Sequence, residues 1–430
     1  MKISKLKGTL DYYGDSIKRF QAVCNASRKI CEAFGYEEVI TPVIESIDVF
    51  VRSAGENSDI VGKEMYTFND RGNRMIALKP ESTASVMRMV VENKIYAIPG
   101  VKKYYYLSPN FRYERPQAGR YRQFYQFGVE TLCEESPYLD AEVILVAYRI
   151  LEELKINNAK VYINTLGSDE TRKNYTKALK AYFEPFVSEL CDDCKRRFEK
   201  NPLRMLDCKV DAHTEIMQNA PKISDYLSEE DDNYFKELCK TLEALNVPFE
   251  INSRLVRGLD YYTNDIFEII YEKEGSPYNG LAIIAGGRYN NLGQEFDGPQ
   301  IPSIGFGMGV ERMIGVIEEN GYHDDSNNRT KVSIITMSNA CKVEGIRLAD
   351  YLRRNNIEVF LDYKNNNLKP QFKICDRENV EYILIIGDDE VKNETIRVKN
   401  VKDNTQEDIN IKDLNKYFEL KEEKAYAYKH

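Results

Sequence analysis

The sequence predicts an α+β fold in two parts: a largely antiparallel sheet with flanking helices and a helical insertion, then a small α/β domain. Three observations carry this. From Met75 to Gly167 strand-like and helix-like stretches alternate, and two strand-like runs flank the turn-forming "RPQAGR", which favours antiparallel pairing. Between about residues 167 and 250 the chain becomes strongly helical and charged. Beyond the polar stretch "GYHDDSNNRT" it reads as βαβαβ, the pattern of parallel strands. A length of 430 residues exceeds one ordinary core, so more than one domain is expected. The boundaries are set at 1–325, with the insertion at about 167–250, and 326–430.

The elements follow in order. "DSIKRFQAVCNASRKICEAFG" predicts an amphipathic helix, because Phe20, Val23, Ser27, Ile30 and Phe34 recur at three- and four-residue steps. Asp15 or Ser16 can cap its start, and Gly35 can end it. "YEEVITPVIE" reads as a strand closed near Pro42. This pair suits core packing or a subunit interface, and periodicity does not separate the two. "PESTASVMRMVVE" opens a helix with Pro80 in its first turn. "KKYYYLSPNFRYER" and "YRQFYQFGVETL" are strands. "SDETRKNYTKALKAYFEPFVSEL" and "EDDNYFKELCKTLEAL" are helices of the insertion. "RLVRGLDYYTNDIFEIIYEK", "GLAIIAGGRYNNL" and "IPSIGFGMGVERMIGVIEEN" return to strands, turns and one helix. "KVSIITMS", "CKVEGIRLADYLRRNN", "IEVFLDY", "LKPQFKICDREN" and "EYILIIGDD" supply the terminal βαβαβ.

Apolar content of 42% and charged content of 30% suit a soluble globular protein. No secretory signal opens the chain. No apolar run reaches the roughly 20 residues of a membrane span; the nearest, "AEVILVAYRIL", is short and interrupted by Glu142 and Arg149. Nine scattered cysteines suggest reduced thiols in the cytoplasm. Net charge is −9, so composition announces no nucleic-acid partner, and phosphate affinity has to come from local clusters.

There is no P-loop. "GFGMGVER" places Gly309 one position early for a dinucleotide turn after Gly305 and Gly307. The three histidines, His213, His323 and His430, argue against a histidine triad or a His-rich metal site, and His213 is expected to be structural or exposed. Chemistry then rests on Arg, Glu, Gln and Tyr. In "QFYQFGVE", Tyr125, Phe127 and Val129 point one way, and Gln126, Gly128 and Glu130 the other. The preceding strand adds Arg112 and Glu114, and the loop adds Arg115 and Arg120. Guanidinium groups donate paired hydrogen bonds to phosphate oxygens, so this convergence favours a site over a solvated face. Arg257 lies between apolar residues and Gly258, with Tyr261 and Tyr262 close behind. Arg312 lies off the apolar stripe of Val310, Met313, Ile314 and Ile317, near a helix start where a cation opposes the dipole; a bound anion would explain it. "CDDCKRRFEKNPLRMLDCK" offers Cys191, Cys194 and Cys208, with Cys239 or His213 as a fourth ligand. The second C-x-x-C is absent, so free thiols are preferred and zinc is not expected.

Together these stretches resemble the histidyl-tRNA synthetases of class II nearly end to end. "KGTLDYYG" resembles the family's opening segment, and the first helix with "GYEEVITPVIE" resembles motif 1, the dimer-forming element. "FRYERPQAGRYRQFYQFGVE" is similar to motif 2 and "GFGMGVERMI" to motif 3. "LVRGLDYYT" and "AGGRYNNL" resemble the two histidine-specific signatures, and the tail resembles an anticodon-binding domain. The resemblance implies a class II antiparallel catalytic domain with a helical insertion and a C-terminal α/β anticodon-binding domain. It implies ligation of L-histidine to tRNA(His) through a histidyl-adenylate, with ATP and Mg2+, in a cytoplasmic homodimer that touches no membrane. Arg112 would hold the α-phosphate and substrate carboxylate; Glu114, Arg120 and Arg312 the outer phosphates and Mg2+; Phe124 would stack on adenine. Glu81, Thr83 and Gln126 would receive the α-amino group, beside Ser82, which stands where the family commonly has glycine. Glu130 and Tyr262 would read the imidazole, Tyr261 would line the pocket, and Arg257 would stabilise charge at the α-phosphate. Asn264 and Asp265 also depart from the family, replacing smaller residues. The alternative is the catalytically inactive, histidine-sensing regulatory paralogue of ATP phosphoribosyltransferase, which generally lacks the anticodon domain and has eroded signatures.

Overall fold

A computed structural model describes residues 3–54, 60–322, 329–420 and 426–428. His323 and His430 lie outside them. The chain divides into two compact units, Met1–Asp324 and Asp325–His430.

The first unit contributes β1 (Glu37–Glu38), β2 (Ile44–Ser46), β3 (Tyr66–Asn69), β4 (Met75–Leu78), β5 (Lys102–Phe111), β6 (Gln123–Leu132), β7 (Ala159–Thr165), β8 (Phe249–Ile251), β9 (Thr263–Tyr271), β10 (Leu281–Arg288) and β11 (Ser303–Gly309). Eight form one sheet in the order β1-β5-β6-β11-β10-β9-β7-β8. Its interior pairs are antiparallel, and only the two edge pairs, β1–β5 and β7–β8, are parallel. Strands β2, β4 and β3 form a separate antiparallel sheet. "YEEVITPVIE" therefore splits between two sheets. Pro42 has no N–H to donate to a ladder, and the strand breaks around it.

The helix Asp15–Ala33 turns Val23, Cys24, Ala26 and Cys31 into the main core, against Phe127 and Val129 of β6 and the helix Pro137–Glu153. Its N-cap is Gly14, and Gly35 follows its end at φ 79°, the left-handed conformation that glycine adopts cheaply. The next long helix begins at Thr83, so Pro80 lies ahead of it rather than in its first turn. Glu81 does the capping: its carboxylate accepts from the N–H groups of Thr83 (2.7 Å) and Ala84 (2.9 Å).

The insertion is not free-standing. Helices Asp169–Phe183, Asp192–Lys200 and Glu215–Gln218 send Tyr175, Leu179, Cys194 and Met217 into a second core shared with Tyr106, Tyr261, Tyr262 and Tyr289. Helix Glu229–Ala244 instead sends Phe235, Leu238 and Leu242 to the main core. A fully buried ion pair pins the three parts together. Arg288 at the end of β10 donates to both oxygens of Asp140 (2.8 and 2.5 Å), and Tyr234 of the last insertion helix donates to Asp140 at 3.1 Å.

In the second unit, β12 (Lys331–Thr336), β13 (Glu358–Leu361), β14 (Tyr382–Ile386), β15 (Thr395–Asn400) and β16 (Thr405–Asn410) form a sheet in the order β13-β12-β14-β15-β16. The first three are parallel and are joined through helices Asn339–Arg354 and Leu368–Glu378. Antiparallel β15 and β16 extend the edge, which the βαβαβ reading lacks. Only Ile396 and Val398 of this hairpin are buried, and "TQEDIN" is an almost wholly exposed edge strand without apolar alternation. No helix of the described residues is long and apolar enough to cross a membrane.

Candidate active site

The site is built on the β5–β6 hairpin. Antiparallel register sets Asn110 opposite Phe124, Ser108 opposite Gln126 and Tyr104 opposite Glu130. Period-2 alternation then turns Phe127 and Val129 into the main core and leaves Gln126 and Glu130 on the other face. At Glu130 that face is covered, with the side chain 1% exposed, and at Gln126 it is half-buried beside the cavity.

Glu130 accepts from the hydroxyls of Thr83 (2.7 Å) and Tyr289. Burial pushes its carboxyl up to about 8, against the opposing donors Tyr289 and Thr83. Burial also raises Glu81, and the N–H groups of Ala84 and Thr83 resist that rise. Gln126 accepts at Oε1 from Asn110 Nδ2 (2.7 Å), and Ser82 donates in turn to Asn110 Oδ1 (3.1 Å). Ser82 thus stands behind Asn110, outside the cavity lining.

The arginines occupy the open side. Arg112 donates through Nε to Pro80 O (2.8 Å) and lies 5.4 Å from the centre of the Phe124 ring. Glu114 sits 4.0 Å from Arg112 and 3.3 Å from Arg120. Arg312 donates to Gly119 O (3.0 Å) and Ala282 O (2.6 Å), so two carbonyls orient this cation at its helix start. Burial and then Arg120 lower its affinity for a proton. Arg257 pairs with Glu268 and lies over the Tyr262 ring at 5.3 Å. The Tyr261 and Tyr262 rings are 4.8 Å apart, and Tyr289 meets Tyr261 edge-on at 5.8 Å.

One cavity of about 470 Å³ is lined by Arg112, Arg120, Arg257 and Arg312, by Glu81, Thr83, Glu114, Phe124 and Gln126, and by Tyr261 and Tyr262. Neither Glu130 nor Arg115 lines it directly; Glu130 lies one hydrogen bond behind the lining residue Thr83. Segments separated by more than 200 positions along the chain therefore converge on one space.

A model of the histidyl-tRNA synthetase family matches residues 8–313, and one of an anticodon-binding domain matches residues 331–421. The chain belongs to the histidyl-tRNA synthetase family. The histidine–tRNA ligase of Anoxybacillus flavithermus is 42% identical over 407 residues, 94% of this chain and 96% of that protein. That of Staphylococcus haemolyticus is 41% identical over 418 residues, 96% and 98% of the two chains. The solved apo histidyl-tRNA synthetase of S. aureus superposes with a TM-score of 0.83 at 35% identity, covering 97% of this chain and all of that one. A Bacillus halodurans structure described as an ATP phosphoribosyltransferase regulatory subunit/histidyl-tRNA synthetase shares the fold, with a TM-score of 0.64 at 19% identity over 90% and 99% of the two chains.

In this synthetase-family chain the site holds residues that sequence reasoning missed. Tyr289 bonds Glu130, Asn110 orients Gln126, and Glu268 pairs with Arg257. Tyr289 had a signal, since it lies within "AGGRYNNL". Asn110 and Glu268 had none beyond their places on strands.

Proposed function

We propose that this chain joins L-histidine to tRNA(His) in two ATP-dependent steps, through a histidyl-adenylate. The observation that carries the reading is the single cavity that sets four arginines beside the buried corner of Glu130, Thr83 and Tyr289. Residues 1–325 form the catalytic unit in this reading, and 326–430 form the anticodon-binding domain.

In the first step a carboxylate oxygen of histidine attacks the α-phosphorus of ATP, and the bond to pyrophosphate breaks. The substrate supplies the nucleophile, so no histidine or serine base is needed. Arg112 and Arg257 hold the α-phosphate, and Arg120 and Arg312 hold the outer phosphates; their charges stand where negative charge develops. Adenine stacks on Phe124. Glu114 fits Mg2+: its Oε2 is buried among the arginines and accepts no hydrogen bond among the described residues. Bound there, Mg2+ would neutralise phosphate charge. Glu81, Thr83 and Gln126 take the ammonium group of histidine, next to Ser82. Glu130 and Tyr262 read the imidazole, and Tyr261 lines the pocket. In the second step the terminal ribose 3′-hydroxyl of the tRNA attacks the carbonyl carbon and AMP leaves.

The chain works as a homodimer in the cytoplasm. Exposed apolar Ile40 and Ile44 of the motif 1 segment, with Phe68 and Met75 of the adjoining small sheet, supply surface for a second copy. The cytoplasm suits nine unpaired cysteines.

Exchange of labelled pyrophosphate into ATP, dependent on histidine and on no other amino acid, tests the first step, and charging of tRNA(His) tests the second. A protein that binds histidine and ATP without exchange would overturn the reading in favour of a histidine sensor.

A further inference from the structure

The insertion carries a cluster that the reaction does not use. Cys191, Cys194, Cys208 and Asp211 each present one ligand atom, all within 4.8 Å of one another. The fourth place falls to neither residue that the spacing suggested. Cys239 packs beside the main core, and His213 is exposed. Asp211 takes it, and it follows Cys208 by the same three-residue step that separates Cys191 from Cys194.

Two of the distances already match an ion's edges, and the whole set, within 4.8 Å, needs only a small contraction to close on one. Cys191 Sγ and Cys208 Sγ are 3.6 Å apart, and Cys208 Sγ lies 3.7 Å from Asp211 Oδ2. A tetrahedral Zn2+ with Zn–S near 2.3 Å and Zn–O near 2.1 Å requires edges of about 3.8 Å between sulfurs and about 3.6 Å between sulfur and oxygen. The backbone is arranged for thiolates. The Cys194 N–H points at Cys191 Sγ (3.4 Å), and the Asp211 N–H points at Cys208 Sγ (3.4 Å). Two equivalent turns thus each aim a donor at sulfur, which favours the ionised ligand and fixes its direction. The Cys191 N–H donates to Asp211 Oδ2 (3.1 Å), so each turn also holds the other. Cys194, Cys208 and Asp211 are buried, as suits a closed structural site with thiolate ligands.

We propose that Cys191, Cys194, Cys208 and Asp211 bind one structural Zn2+ that clips residues 191–211 into a closed loop. The loop reaches the reaction cavity. Arg197, Arg204 and Asp207 line it. Arg204 donates to Gly258 O (2.6 Å), next to Arg257, and Asn201 donates to Asp260 (3.0 Å). Arg197 donates to Arg204 O (3.1 Å), which ties the loop to itself. Four protein ligands leave no open position, so the ion holds the segment that buttresses "RGLDYY" and takes no part in the reaction.

Metal analysis of the full chain, grown with zinc and purified reduced without chelator, tests this. The expected result is one zinc per chain, retained in Cys239→Ser and lost in Cys194→Ser. Disturbing a group behind a metal ligand typically costs 10–100-fold in affinity, so Asp211→Asn should weaken zinc at least about tenfold in chelator competition. Chelation should lower the melting temperature of the parent chain, and zinc should restore it. Parent protein with under a tenth of an equivalent and no uptake from buffered zinc would overturn the proposal. So would stoichiometric iron, a Cys191–Cys208 disulfide, or zinc content unchanged in Cys194→Ser. None of these readings depends on catalysis, so they stand apart from the proposed reaction.

Discussion

Arg257→Ala perturbs the reaction centre in two ways whose sizes can be worked from the structure. The Arg257 side chain is 16% exposed, pairs with Glu268, and keeps a buried Nε without a hydrogen-bond partner among the described residues. Truncation removes a preorganised donor, worth about 3–4 kcal/mol at the transition state, or ~10²–10³ in rate. It also strands the Glu268 carboxylate, which lines the same cavity. If a bound phosphate oxygen stood about 5 Å from that bare carboxylate, the repulsion would cost roughly 3 kcal/mol at an effective dielectric near 20, another ~10². Adenylate formation should therefore slow by roughly 10⁴–10⁵. Adding Glu268→Gln to Arg257→Ala should recover about 10² of that loss by removing the stranded charge. Rapid-quench measurement of histidyl-adenylate in a single turnover reads the step, with affinities for ATP and histidine measured separately. A rate for Arg257→Ala within about threefold of the parent would refute the assignment. No recovery in the double variant would refute the share given to Glu268.

Three further outcomes are expected. Burial keeps Glu130 protonated up to about 8 against an ordinary 4.5, so between those values the folded state holds a proton that the unfolded chain has released. Stability then falls as pH rises through that window, and the melting temperature of Glu130→Gln relative to the parent should climb from pH 5 to pH 8; a constant difference would contradict this. Breaking the fully buried Arg288–Asp140 pair by Asp140→Asn should cost about 3–5 kcal/mol in denaturant unfolding, and a loss below about 1 kcal/mol would show that the pair holds little together. Asn110→Ala removes the amide that orients Gln126 and should raise the histidine KM by roughly tenfold with the ATP KM unchanged; equal rises in both would point to general loosening instead.

The strand that carries Gln126 and Glu130 was legible because its period is local. Alternation in "QFYQFGVE" separates core from pocket without reference to any other strand. Tyr289 reaches Glu130 only because β11 lies between β10 and β6, and nothing in "AGGRYNNL" itself distinguishes the buried clamp Arg288 from the pocket hydroxyl beside it. Asp211 was missed because the spacing was read for sulfur and imidazole, although the chain repeats its C-x-x step with a carboxylate at the end. Pro80 was assigned to a helix turn because Pro is common there, but Glu81 caps the helix with its side chain and starts it later. The hairpin β15–β16 escaped because an exposed edge strand does not need apolar alternation.

The glycines of "GFGMG", which do not fit a dinucleotide turn, have a different physical use. On β11, Gly305 sits opposite Glu130 and Gly309 opposite Gln126, with Gly307 between them. A Cβ at Gly305 would collide with Glu130 Oε2 and the Val129 carbonyl, and one at Gly307 with the Gln126 amide. Neither glycine has the left-handed φ that only glycine adopts easily, so the requirement is for space. The bare strand lets Glu130 lie flat and buried and Gln126 lie half-buried beside the cavity, and in the proposed pocket burial would give Glu130 its selectivity. A carboxyl kept from water gains hydrogen bonds when an imidazole enters beside it, and is left unpaired when an apolar side chain offers none. Unpaired buried groups of this kind reject the wrong substrate by ~10⁴ or more. Thr83 and Tyr289 hold Glu130 in one orientation but occupy only part of its accepting capacity, leaving lone pairs for the substrate. In the proposed histidine pocket, substrate choice would thus depend on the absence of side chains from one strand as much as on the charged groups of its neighbour.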